Sequence, residues 1–169
     1  MKLTHAGLGE QEKKFYDMAR QVSAYAYAPY SKRQVGAAVR TDKNTVFRGC
    51  NVENVSYGLT CCAERNAIFA AVAAEGARMG VQEIAIYANV NSAKPCGACL
   101  QVIAEFGTNI RILFSDRDQI IDTTIAELLP RISFPRLFHT YCTSSRGCGL
   151  PDGFRHSSVG ARCPERNGL

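Results

Sequence analysis

Three cysteines and a glutamate stand where helices are expected to begin. In "TCCAERNAIF" Cys62 precedes Glu64 by two residues, and in "KPCGAC" Cys96 and Cys99 form a Cys-x-x-Cys. The unpaired amides of a helix N-terminus carry partial positive charge, which lowers thiol pKa values and favours the thiolates that bind metal. Three thiolates make an incomplete tetrahedral zinc set. Structural zinc sites close with four protein ligands, whereas catalytic sites use three and keep the fourth position open for water. A carboxylate beside that position, here Glu64, is suited to carrying protons. Alone, the Cys-x-x-Cys is also compatible with a redox pair or half of a zinc ribbon. A ribbon wants a second Cys-x-x-Cys, and a redox motif has no use for Glu64, so the combination favours a catalytic metal.

These groups need a scaffold, and the chain has the size for one. Its 169 residues, 46% of them hydrophobic, suffice for a single core. No run of about 18 apolar residues suggests a membrane span, and "MKLTHAGLGEQEKKF" lacks the apolar middle of a signal peptide. The expected location is the cytoplasm, with no membrane partner. There, eight cysteines point to ligation or catalysis more than to disulfides. The formal charge of +5 owes much to five arginines after residue 135. A basic tail of this kind reads as a solvated segment, so nucleic acid is not an expected partner.

Apolar Phe15, Met18, Ala19 and Val22 recur at helical spacing between Glu10 and Ala28, and Pro29 stops the pattern. "QVGAAVRTDKNTVFRGCNVEN" reads as a hairpin around "TDKN", with Gly36 and Gly49 where the backbone needs unusual angles or close approach. "CAERNAIFAAVAAEGA" is a helix capped by Thr60, ended by Gly76 and apolar on most sides, hence buried. "EIAIYANV" is a strand, "CGACLQVIAEFG" a helix, "NIRILFSD" a strand, and "TIAELL" a short helix before Pro130. The order α, β, β, α, β, α, β, α implies an α/β fold, a three-layer αβα sandwich whose mixed sheet takes its parallel part from consecutive βα units. After residue 135 the chain is crowded with Gly, Ser, Pro and Arg, so 1–134 is expected to be the catalytic domain and 135–169 a loop-like or partly disordered tail. The tail's Cys142, Cys148, Cys163, His139 and His156 match no zinc spacing.

Taken together, "YAPYSKRQVGAAV", "NVENVSYGLTCCAERNAIFAAV", "KPCGACLQVIAEF" and "AELLP" resemble the small homotetrameric, zinc-dependent cytidine deaminases of pyrimidine salvage, from about Phe15 to Phe134. The resemblance implies one Zn²⁺ per subunit on Cys62, Cys96 and Cys99, with Glu64 as the proton carrier in hydrolytic deamination of cytidine and 2′-deoxycytidine. It implies that Arg65 and Gln101 offset the excess thiolate charge, that Asn51 and Glu53 hold the ribose 3′-hydroxyl, and that the backbone of Ala63 meets the base. It also implies a homotetramer with the pocket shared between subunits. Cys61, one residue before the expected ligand, reads as a bystander.

Three positions depart from the family pattern. Arg33 stands where these deaminases commonly carry a phenylalanine that packs on base or sugar, and its guanidinium can either stack or donate hydrogen bonds to a substrate. Arg33 therefore leaves room for an alternative substrate, a modified cytosine nucleoside or a nucleoside antibiotic such as blasticidin S. Phe134 follows "LLPRIS" one residue later than the aromatic that a neighbouring subunit usually adds to the pocket, and Leu100 replaces an arginine common in this motif.

Overall fold

The computed structural model describes residues 1–130. Phe134 and the expected tail 135–169, with its cysteines and histidines, lie outside the described residues. The elements run β1 (Lys2–Leu3), α1 (Glu10–Ser23), β2 (Val35–Thr41), β3 (Val46–Cys50), α2 (Ala63–Glu75), β4 (Val81–Ala88), α3 (Gly97–Ala104), β5 (Arg111–Asp116), β6 (Gln119–Thr124) and α4 (Ile125–Leu128). Six strands form one sheet in the order β1-β6-β5-β4-β2-β3. Among the described residues only β4 and β5 pair as parallel strands, joined by the crossover through α3, and the other strand pairs are antiparallel.

Side chains alternate across a strand, and that alternation builds two cores. Ala37, Val39, Ile84, Ile86, Ile112 and Phe114 face α2 and α3. Their neighbours Ala38, Ala85 and Leu113 face Phe15, Tyr16 and Ala19 of α1. One helix on one face and three on the other make the expected αβα sandwich.

Two glycines set how closely the helices approach. A Cβ on Gly36 would lie 2.0 Å from the Ala19 carbonyl oxygen, so only glycine lets α1 rest on β2 there. On the opposite face, a Cβ on Gly49 would lie 2.5 Å from Ala67 N and 2.6 Å from Ala63 O. That contact seats the first turn of α2, which carries Glu64, directly against β3.

Three local expectations need correction. The helix expected to reach Ala28 ends at Ser23. Beyond it the Tyr27 amide donates to Asn51 O at 3.0 Å and the Glu53 amide to Tyr27 O at 2.8 Å, so a non-local pairing pulls the chain out of the helix. Thr60 is not the cap of α2. Cys62 occupies that position without a side-chain capping bond, while Thr60 Oγ1 accepts from the Asn54 amide at 3.1 Å. Strand β6 had no counterpart in the expected order. It follows a turn in which Arg117, a non-glycine, takes φ 55, so no glycine marks the reversal.

Candidate active site

The N-termini of α2 and α3 meet at one end of the sheet, and each contributes thiols. The segment before α2 is tied down first. Val52 and Cys61 exchange backbone hydrogen bonds of 2.9 and 3.0 Å, which sets residues 51–53 beside residues 60–62. Asn66 Nδ2 donates to Cys50 O at 2.8 Å, fastening α2 to the end of β3.

Cys62 Sγ lies 4.0 Å from Cys96 Sγ, and the three sulfurs of Cys62, Cys96 and Cys99 lie within 4.8 Å of one another. Sulfurs around a tetrahedral zinc with bonds of about 2.3 Å stand about 3.8 Å apart, so a small closure of this trio fits that ion. Cys99 is fully buried and Cys96 exposed, leaving the set closed on the protein side and open on the other. The hydrogen bond from Cys99 holds the Cys62 thiol far below its usual pKa, assisted by Arg65, and the same bond together with burial pushes Cys99 up. Arg65 Nη2 donates to Cys62 Sγ at 3.6 Å and to Thr60 O at 2.8 Å. Its guanidinium thus touches a thiolate and also braces the chain leading into α2.

Glu64 is 4% exposed. Burial pushes its carboxyl up to about 7, despite a backbone hydrogen bond that opposes the shift, and the charge of Cys62 adds to the rise. A group with that pKa can both accept and release a proton near neutral pH. Ala63, fully buried, is the first residue of α2 and leaves its neighbour Glu64 next to the thiols.

Asn51 and Glu53 are buried at 7% and 8% exposure beside this centre. Asn51 Oδ1 accepts from the Val35 amide at 2.8 Å, and its Nδ2 donates to Arg33 O at 2.9 Å. Glu53 accepts from the Tyr30 amide at 3.0 Å, the Ser31 amide at 3.2 Å and the Ser31 hydroxyl. The Ser31 hydroxyl is the main cause that holds this carboxylate below its ordinary pKa. Both side chains therefore clasp the segment leading into β2. Arg33 is exposed, and its Nη2 donates to Ser92 O at 2.6 Å. Gln101 lies exposed on α3 and makes no side-chain hydrogen bond to a thiolate among the described residues. Asn89 escaped the sequence reading, although its side chain accepts from the Gln34 amide at 2.9 Å and donates to Lys32 O at 3.3 Å. An asparagine at a strand end carries no motif, so only the partner 55 residues away reveals it.

Residues 9–115 match the cytidine and deoxycytidylate deaminase zinc-binding region. The chain belongs to this deaminase family. A cytidine deaminase of Sporosarcina psychrophila is 44% identical over 115 residues, covering 66% of this chain and 83% of that protein. The crystal structure of cytidine deaminase from Burkholderia pseudomallei superposes with a TM-score of 0.66 at 40% identity, covering 73% of this chain and 98% of the other. A blasticidin-S deaminase of Bacillus cereus is more distant, at 26% identity over 131 residues, 73% of this chain and 92% of that protein. Membership of the deaminase family agrees with a three-cysteine set suited to zinc. Among the described residues, no helix is long and apolar enough to cross a membrane.

Proposed function

We propose that this deaminase family member hydrolyses cytidine and 2′-deoxycytidine to uridine and 2′-deoxyuridine, releasing ammonia. The observation that carries the reading is a buried carboxylate with a raised pKa, Glu64, at the edge of a three-thiol set with one open side. Zinc held by Cys62, Cys96 and Cys99 would supply Lewis acidity that makes water a nucleophile at neutral pH. Glu64 takes a proton from the attacking water and donates it to ring N3 as C4 becomes tetrahedral, then takes the remaining proton of the hydroxyl added at C4 and gives it to the departing amino group, which leaves as ammonia. Arg65 offsets negative charge on the thiolates through its contact with Cys62, whereas the exposed Gln101 makes no such contact among the described residues. Ala63 at the helix start leaves space for the base. Asn51 and Glu53 bind the ribose 3′-hydroxyl from a clasp whose backbone bonds hold both in fixed directions.

The nucleoside is favoured over an antibiotic because the cytidine deaminases among the relatives are the more similar proteins, at 44% against 26% identity. Cytoplasmic pyrimidine salvage is the setting that suits such a reaction. A homotetramer with shared pockets is supported by the apolar side chains left uncovered around the site, among them Tyr25, Val55, Tyr57 and Leu59 at 81%, 79%, 69% and 72% exposure. Isolated chains rarely leave such a patch in water. In the assembly Phe134 would add an aromatic to a neighbouring pocket.

The test is ultraviolet-monitored deamination by zinc-loaded protein, with cytidine and 2′-deoxycytidine side by side and light scattering on the same sample. Rapid conversion by a particle of four chains is the expected result. Folded, zinc-replete protein that converts neither nucleoside would overturn the substrate assignment, and an active monomer would overturn the shared pocket.

A further inference from the structure

The most unusual contact near the site is made by the residue that departs from the family pattern. Arg33 lies in the segment 30–35, between α1 and β2, which has little regular hydrogen bonding of its own. That segment is held from three sides. Glu53 accepts from the Tyr30 and Ser31 amides, Asn51 bonds Arg33 O and the Val35 amide, and Asn89 bonds Lys32 O and the Gln34 amide. The Arg33 amide also donates to Ser31 Oγ at 3.0 Å, and Ser31 donates onward to Glu53. Lys32 sits at φ 59, a left-handed conformation that a long side chain adopts only when its surroundings impose it.

The Arg33 side chain leaves this segment and donates from Nη2 to Ser92 O at 2.6 Å, across 59 residues of sequence. Ser92 stands four residues before Cys96. The intervening chain is short of freedom: the Ala93 amide donates to Ser115 O at 2.7 Å, Ala93 is buried, and Pro95 has its φ locked by its ring. One guanidinium thus connects the clasp made by Asn51 and Glu53 to the loop that delivers a metal ligand.

We propose that Arg33 is a positioning residue that couples ribose recognition to the geometry of the Cys96 loop, so that contact with the 3′-hydroxyl is converted into alignment at the metal centre. A packing phenylalanine has no hydrogen-bond donor for this task, whereas a planar guanidinium can hold a carbonyl in a fixed direction. Binding energy gathered far from the reacting atoms accelerates a reaction only when it is realised in the transition state, and such a tether is one means of realising it. The inference rests on Asn51 and Glu53 being the ribose contacts.

The experiment is a cycle that combines Arg33→Ala with removal of the substrate's 3′-hydroxyl. The kcat/KM of cytidine is compared with that of 3′-deoxycytidine in both proteins, with Arg33→Lys as the conservative variant. Coupling predicts that the preference for cytidine shrinks at least about fivefold in Arg33→Ala, the lower end of typical coupling between two sites, and is partly restored by lysine. Hydrogen exchange of the ligand-free, zinc-loaded proteins gives a readout independent of turnover, and Arg33→Ala should raise exchange at both 30–35 and 92–96. An unchanged cytidine preference, or faster exchange confined to 30–35, would overturn the coupling. A wild-type enzyme that turns over cytidine without any preference for the 3′-hydroxyl would instead refute the ribose role of Asn51 and Glu53, leaving the exchange result to judge the tether.

Discussion

The two faces of the sheet differ in where their charged groups sit. On the α1 side charges are paired: Arg111 donates to Asp122 at 3.0 and 2.8 Å and lies 2.7 Å from Glu12, while Arg40 lies 2.6 Å from Glu83 and over the ring of Phe15. On the other side α2 and α3 present largely apolar bodies to the core; Glu75 at the end of α2 accepts from the Thr41 hydroxyl at 3.2 Å, and the first turn of α2 stands beside the thiols. There Glu64 is buried with a raised pKa and Arg65 is turned toward a thiolate, its Nε buried without a partner. Charges that pair with one another stabilise the fold and are neutralised by their partners. Groups kept unsatisfied cost stability and retain reactivity.

The largest effect that this contrast predicts is at Glu64. Glu64→Gln should lower kcat by about 10²- to 10⁴-fold, the usual worth of a general acid-base group, with zinc content and melting temperature little changed. Full activity in a zinc-replete variant would remove the proton carrier from the mechanism.

Next come the two close approaches, one on each face. Gly36→Ala and Gly49→Ala should each destabilise by about 1–3 kcal/mol, since both place a Cβ against helix backbone that must move. Their activities should diverge. Gly49→Ala displaces the turn that carries Glu64 and should lower kcat of the folded protein, whereas Gly36→Ala shifts α1 and should leave kcat of the folded fraction near wild type. Equal kcat losses would mean that the two faces are not separable.

The smallest effect belongs to the ion pairs. The Arg111 guanidinium holds the Asp122 carboxyl below its ordinary value of 3.8, so the stability that it contributes is complete above that pH and is lost as pH falls through the lower folded value. For a partly exposed pair this amounts to about 1 kcal/mol or less. Urea unfolding of wild type and Asp122→Asn should therefore differ by that amount at pH 6 and converge toward pH 2. A difference that persists into acid would point to packing instead of charge.

The thiol cluster was legible because its spacing is local. Cys62 and Glu64 lie within one helix start, and Cys96 and Cys99 within another, so spacing alone announced two N-termini bearing thiols. The strands expected around "VGAAVRT" and "EIAIYA" are present as β2 and β4. The reading failed where a distant partner decides. Residues 24–28 keep a helical pattern, yet Tyr27 is claimed by Asn51 and Glu53. "QIIDTT" gave too weak a signal to mark β6 without the β5 edge that pairs with it. Asn89 and Ser92 looked like any loop residues.

By itself, the sequence determined the candidate ligand set and the carboxylate beside it, and it marked Gly36 and Gly49 as places of unusual angles or close approach. These follow from residue type and short spacing, which no later folding step can alter. Only the tertiary structure decided that Arg33 reaches Ser92, that Asn51 and Glu53 spend their polar atoms on the segment 30–35, and that Glu64 is buried deeply enough for its pKa to rise. Each of those depends on groups far apart in the chain, and desolvation and hydrogen bonding act through space.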